Sequence, residues 1–307
     1  MLTAIQKATR LGGIGSSDIS ALLGLSPWAS PIDVWLAKTG RAPEIDDSRI
    51  ELRMGHALEP LLAELYTERT GIELQDPVET FVSPHASWMV ASPDRTSLSP
   101  RKVVELKLAY TSQGWGDEGT DDAPDVYLCQ VNYQCDVMDY PEADIAAIVG
   151  RAFRVYSVRR DDELCGFMRE AAERFWVDYV LPDVQPPITA HESDRKYLQS
   201  KFPRNDEVVT VATPEIDAIA QALVVAKGEL ENADAIASLL ENQLREAIGE
   251  HAGIKGADWR AMWKRGKDKS KTDWEAVARE LGVTPEIIRK HTITKPGNRP
   301  FLFRPKE

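Results

Sequence analysis

The run Val103-Val104-Glu105-Leu106-Lys107-Leu108 limits this chain more than any other stretch. It is rich in β-branched and apolar residues, the composition of a strand. Side chains alternate across a strand, so Glu105 and Lys107 share one face, roughly 7 Å apart along it. Val104, Leu106 and Leu108 fall on the opposite face, where a core takes them. Two opposite charges are thus held side by side on a rigid element. Eleven residues before Glu105 stands Asp94, in the short acidic turn Ser92-Pro93-Asp94-Arg95. An Asp and a Glu offer oxygen ligands to a hard divalent cation such as Mg²⁺. A neighbouring Lys can orient or stabilise an attacking water. These residue types serve metal-assisted phosphodiester hydrolysis. Taken alone, each has a plainer reading: E-x-K is a common ion pair on a strand face, and an Asp after Ser-Pro is a common turn residue.

Other segments sort into elements by periodicity and punctuation. Ser16-Ser17-Asp18 is expected to cap a short helix over 19–23. Ser30-Pro31 opens a second helix that Gly40 ends. Residues 48–70 carry apolar side chains at helical spacing, with Gly71 as a stop and Pro60 as a kink or a new start. Candidate strands follow at 79–82, 88–91 and 102–108, the last two separated by a turn at Ser97-Leu98-Ser99-Pro100. A helix is expected from Pro124-Asp125 to about Met138, then two strands within 144–157 broken at Gly150, then an amphipathic helix over 164–179. Residues 181–212, opening with LPDVQPP, form a connector. The longest helical signal, 214–251, would span roughly 54 Å if unbroken, a length that usually packs on a partner helix or folds into a hairpin. Near the end, 258–264 and 300–304 alternate as strands that pair, with a small helix at 273–281 between them.

Further side chains join the acidic pair. Glu59 lies on a helix ahead of the strands, where a carboxylate can complete a metal site or sit on the surface. Gln130 and Gln134 share a helix face at i and i+4, and an amide there can position a water or a phosphate oxygen. The segment from Arg10 through Gly12-Gly13-Ile14-Gly15 to Ser16-Ser17 feeds a helix N-terminus, a place where free N–H groups bind phosphate. It lacks the G-K-[ST] ending of a Walker A loop, and no strand precedes it as in a dinucleotide fingerprint.

Composition closes off other classes. No run of about 18 apolar residues exists, so no membrane span is expected. The N-terminal segment has no apolar core followed by a cleavage site, so no secretion signal is expected. Three cysteines without C-x-x-C spacing argue for reduced cytosolic thiols and against a zinc ribbon or iron–sulfur cluster. The net charge of −12 is unevenly spread: residues 255–307 hold 14 Lys and Arg against 7 Asp and Glu. A basic end on an acidic body fits nucleic-acid contact confined to one surface, or a solvated tail. Lys264, Arg265, Lys267, Lys269 and Lys271 are the candidate contacts.

Arg-x-x-x-x-Gly-Ser-Ser, Gly-x-x-x-Glu-Pro, Ser-Pro-Asp, Glu-Leu-Lys and a Gln-bearing helix occur in that order. Together, over about residues 9–180, they resemble the YqaJ-like viral recombinase nucleases, the phage lambda-type exonuclease family of the PD-(D/E)XK superfamily. The resemblance implies an α/β restriction-endonuclease-like core, a central mixed sheet flanked by helices, over 1–180. Beyond the connector, 213–307 would be an extension of one long helix and a small basic β-containing end. It further implies that Asp94, Glu105 and the Leu106 carbonyl bind Mg²⁺, with Mn²⁺ able to substitute, and that Glu59 serves a second ion. Lys107 and Gln130 would act at the attacking water. Arg10, Ser17 and Ser92 would hold a 5′-phosphate. The implied activity is 5′-to-3′ degradation of one strand of linear duplex DNA, leaving 3′ overhangs for a single-strand annealing protein. The implied setting is the cytoplasm, for a phage or prophage protein in a bacterial host. A homo-oligomer such as a trimer is implied too, although residues 210–307 bear on that packing. The alternatives within reach of the same residues are an endonuclease or nickase, and a non-catalytic DNA-binding recombination protein.

Overall fold

Caps and turns set the limits of most elements in the computed structural model, which describes residues 4–43, 49–77, 79–204, 208–266 and 272–292. The chain divides into two units, Met1–Lys201 and Phe202–Glu307. The first begins with α1 (Ala4–Leu11), β1 (Ile14–Gly15), α2 (Ser16–Leu22), α3 (Pro31–Lys38) and α4 (Ile50–Thr70). Then come β2 (Phe81–Val82), β3 (Met89–Ala91), β4 (Arg95–Leu98), β5 (Arg101–Ala109), α5 (Asp125–Met138), β6 (Glu142–Val149) and β7 (Ala152–Arg159). It closes with α6 (Asp162–Phe175), a π-helical turn (Trp176–Val180) and α7 (Glu192–Lys201). The second unit holds α8 (Pro214–Ile248), the hairpin β8 (Gly253–Lys255) and β9 (Arg260–Met262), and two short helices, α9 (Trp274–Glu280) and α10 (Pro285–His291).

The fold is the expected α/β arrangement. A mixed sheet runs β4-β5-β6-β7, with β5 and β6 parallel and both outer pairs antiparallel. Helix α5 makes the crossover that parallel β5 and β6 require. The pleat sorts the two faces. Val104 and Leu106 of β5 and Ala146 of β6 meet Leu62 and Tyr66 of α4. Val103, Ala143, Ile145 and Ala147 meet Val131 and Cys135 of α5. Glu105 and Lys107 share the second face, so the charged pair lies under α5. A smaller sheet, β1-β3-β2, pairs β1 and β3 in parallel. Here Gly13 is demanded by close approach: a Cβ would lie 2.5 Å from the Trp88 carbonyl oxygen.

Several expectations are revised. The cap of α2 is Gly15, whose N–H donates to Asp18 Oδ2 at 2.7 Å; Ser16 and Ser17 are already helical. Pro60 does not divide α4. Ser97 and Leu98 are strand, paired with Lys102 and Arg101, which leaves Ser99-Pro100 as the turn. The expected connector contains α7, and Asp194 there is buried and accepts from the Thr189 N–H at 2.6 Å and its hydroxyl at 2.8 Å. Ser193 also donates to Asp33 of α3, so the first unit runs to Lys201. In the second unit β9 pairs with β8 across a loop of four residues, short enough to close at small entropic cost. Residues 300–304 lie outside the described residues.

One buried ion pair ties the sheet to α4. Lys102 Nζ sits 3.0 Å from both Asp144 oxygens, and the Tyr66 hydroxyl donates to Asp144 Oδ2 at 2.6 Å. Burial, then this acceptor, pushes the Tyr66 phenol far above its ordinary pKa. Removing one partner strands the other charge. Lys102→Met is expected to cost about 3–5 kcal/mol by chemical denaturation, and Lys102→Met with Asp144→Leu to recover much of that.

Candidate active site

Strand β5 carries the centre of the site because its pleat turns Glu105 and Lys107 toward α5. Glu105 is almost fully buried. Its Oε1 accepts from Lys107 Nζ at 2.6 Å and Gln130 Nε2 at 2.6 Å, and its Oε2 from Gln134 Nε2 at 2.8 Å. Four residues is close to one helical turn, so Gln130 and Gln134 grip the two carboxylate oxygens from one face of α5. Gln134 Oε1 is buried with no partner among the described residues, an acceptor for a water.

Asp94 enters from the turn between β3 and β4. The Leu106 N–H donates to its Oδ2 at 2.8 Å. The bond exists because β4 stops pairing at Arg95 opposite Val104, which leaves Leu106 facing the turn. Peptide N–H and C=O of one strand residue point to the same side, so the Leu106 carbonyl faces that side too. Burial first, then the charges of Glu105 and Glu59, push the Asp94 carboxyl up to about 7, against the pull of Lys107 and the Leu106 N–H. Glu59 is half-buried on α4 and projects its charge into this site. Burial works to lower the Lys107 pKa, but Glu105 and Asp94 outweigh it and leave the ammonium above an ordinary lysine. Lys107 is therefore a fixed cation at neutral pH.

The donor chemistry fits a hard divalent ion. Asp144 has Lys102, Asp136 has Arg160 at 3.2 Å and Arg169 at 2.8 Å, and the buried Asp194 has the Thr189 N–H and hydroxyl. Asp94 has a backbone N–H and two like charges nearby, the setting that a cation relieves. No group of three His, Cys, Asp or Glu side chains placed to hold a metal ion occurs among the described residues. Two carboxylates, Asp94 and Glu105, and one carbonyl, with positions left for water and substrate, suit Mg²⁺, which keeps much of its hydration.

The remaining expected residues fall into two groups. The Arg10 guanidinium donates to Ser17 Oγ at 3.2 Å. Lys38 of α3 holds the Arg10 carbonyl at 2.8 Å and the Asp18 carboxylate at 2.6 Å. Parallel pairing of Gly15 with Val90 lets the chain leave the small sheet at one edge on both strands, toward Ser17 and toward Ser92. Ser92 itself bonds Thr80 at 3.0 Å between hydroxyls. Lys264 and Arg265 are exposed in the second unit, and Lys267, Lys269 and Lys271 lie outside the described residues.

Single-sequence reasoning missed the dual grip of Gln134 and the part of Tyr127. Lys107 Nζ lies 5.1 Å from the Tyr127 ring centre, and Tyr127 meets Trp115 at 5.5 Å and the exposed Trp28 at 6.1 Å. The i, i+4 spacing of the two glutamines was the available signal; nothing local pointed to Trp28 or Lys38.

The raised Asp94 carboxyl has a consequence for folding. As pH rises, this Asp ionises first in the unfolded chain, near its ordinary 3.8, and only at about 7 in the fold. Its contribution to metal-free stability therefore falls across that window and is flat above it. Metal-free Asp94→Asn is expected to melt above wild type at pH values over 7, with the gap closing toward about pH 4. Calorimetry with and without Mg²⁺ checks this; Mg²⁺ is expected to raise the melting temperature of wild type and not of the variant.

Residues 7–141 match the model of the YqaJ-like viral recombinase domain. Over 263 residues the chain is 28% identical to the uncharacterized protein YqaJ of Bacillus subtilis (strain 168), covering 83% of this chain and 81% of that one. Among solved structures, the alkaline exonuclease LHK-Exo from Laribacter hongkongensis is similar at 19% identity and a TM-score of 0.48, over 65% of this chain and 97% of that one. A phage-related exonuclease from Haemophilus somnus 129PT is similar at 12% identity and a TM-score of 0.43, over 56% of this chain and 96% of that one. Every residue of the site, from Arg10 to Gln134, falls inside the stretch that matches the YqaJ-like viral recombinase domain model.

Proposed function

We propose that this protein is a Mg²⁺-dependent exonuclease. Its substrate is linear duplex DNA, degraded from a 5′ end to leave 3′ single-stranded overhangs for a single-strand annealing protein. It would act in the cytoplasm of a bacterial host as a phage or prophage enzyme. One observation carries the reading: two carboxylates, Asp94 and Glu105, are held beside a permanently charged Lys107 on one strand, with glutamine amides fixing the second carboxylate. The matched recombinase domain supports the substrate class.

Asp94, Glu105 and the Leu106 carbonyl would hold one Mg²⁺ or Mn²⁺, with Glu59 toward a second. When bound, the ions supply Lewis acidity to the scissile phosphate and lower the pKa of the attacking water. The residues do the rest. Lys107 already carries its proton, so it does not serve as the base. It orients the attacking water and neutralises charge growing on the phosphoryl oxygens. Gln130 and Gln134 keep Glu105 from rotating away, and the free Gln134 amide oxygen accepts from a water. Arg10 and Ser17 bind the terminal 5′-phosphate, with Ser92 at the same edge, and so set which bond is cut.

Digestion of linear duplex carrying a 5′-phosphate at one end only, beside a closed circle, tests the reading. Loss of the phosphorylated strand in Mg²⁺ is expected, with Lys107→Ala slower by about 10²–10³-fold. Arg10→Ala is expected to lose the preference for the phosphorylated end. A cut circle would replace the exonuclease with an endonuclease or nickase, and DNA binding without any cleavage would leave a non-catalytic recombination protein.

The basic end generates a separate expectation. If Lys264 and Arg265 contact duplex phosphates, reversing both charges lowers the slope of log affinity against log salt by about 2. An unchanged slope in a salt titration would make that end a solvated tail.

A further inference from the structure

Of the tryptophans in the first unit, Trp35 is buried and Trp88, Trp115 and Trp176 are partly covered, whereas Trp28 is 64% exposed. An indole left in water keeps a broad apolar face uncovered. The backbone beneath it is fixed. Buried Ser26 accepts from the Trp28 N–H at 3.2 Å and the Ala29 N–H at 3.1 Å, and its own N–H donates to the Ser20 carbonyl of α2 at 3.1 Å. Ser30 then caps α3. Trp28 thus stands on a turn pinned to two helices. Trp115, Tyr127 and Trp28 form a row, with ring centres 5.5 and 6.1 Å apart, and Trp28 is its solvent end. The Lys107 ammonium lies 5.1 Å from the middle ring, so one ring separates the exposed indole from the cation of the site. Helix α2 carries Ser17 near one end and enters this turn at the other.

We propose, on the exonuclease reading above, that the Trp28 ring stacks on the base of a nucleotide whose phosphate lies beside Lys107. Every base has a flat π-face, so the ligand is a nucleobase of any identity, and the stack adds affinity without reading sequence. Cutting next to a duplex end calls for such a platform. A base drawn to the site leaves its neighbours, and an aromatic side chain replaces the stacking it loses. Little conformational freedom is lost in doing so, because the turn is already fixed and Trp has only two side-chain torsions. The size of the exposed face also points to a base. Leu25 is the other exposed large apolar side chain of the turn, and two side chains fall short of the roughly 800 Å² that a stable protein partner covers.

Equilibrium binding of the full chain to a short 5′-phosphorylated duplex, with Ca²⁺ replacing Mg²⁺, tests this through a cycle between side chain and base. The leading bases of the phosphorylated strand are removed one at a time, leaving the sugar and phosphate. Trp28→Ala is expected to bind the intact duplex about tenfold more weakly than wild type, and Trp28→Phe to recover most of that loss. At one position, removing the base is expected to cost wild type about the same factor and Trp28→Ala almost nothing. Thermal melting serves as the folding control, since Trp28 is exposed. Equal affinity of wild type and Trp28→Ala for the intact duplex would overturn the stack. So would a loss that persists whichever base is removed, since Trp28 would then support the fold or meet the backbone. If wild type cleaves the duplex in Mg²⁺ but no base couples to Trp28, the stack falls and the exonuclease stands. Wild type that neither binds nor cleaves would overturn both.

Discussion

The grip on Glu105 is the interaction on which the site depends. A nearly buried carboxylate is costly unless each oxygen is satisfied. Here three N–H donors do that, and they come from two elements: Lys107 from β5, Gln130 and Gln134 from α5. The bonds that make the charge tolerable therefore also set the angle of α5 on the sheet. Asp94 follows from the same strand, because the Leu106 N–H between Glu105 and Lys107 is its anchor.

The unit resolves its buried acids in two ways. Asp144, Asp136 and Asp18 are neutralised by Lys102, by Arg160 and Arg169, and by Lys38. Those pairs tie strand to strand and helix to helix. Asp94 instead faces Glu105 and Glu59, and burial and repulsion together raise its pKa. An acid left facing like charges in this way is one that a cation would relieve. Its instability without one is the cost of that arrangement.

Much of the site was legible because it rests on local periodicities. The alternation in Val103–Leu108 put Glu105 and Lys107 together, and the helical spacing of Gln130 and Gln134 put both amides on one face. What was not legible depends on contacts between distant segments. Lys38 reaches back to the Arg10 carbonyl and Asp18, the exposed Trp28 leans on Tyr127, and α7 docks on α3 through Ser193 and Asp33. None of these leaves a spacing signal. The strand β8 that pairs with Arg260–Met262 was not foreseen either, because three residues are too few to show an alternation.

By itself the sequence determined which side chains share a face and where the long helix of the second unit runs. These follow from the 2.0 and 3.6 periods of the backbone and from residue chemistry. Only the tertiary structure decided that the charged face of β5 is buried under α5, that Leu106 has a free N–H to hold Asp94, and that Asp94 faces the like charges of Glu105 and Glu59. Those are facts of strand register and burial, and electrostatic energy depends on distances and desolvation that no spacing along the chain records.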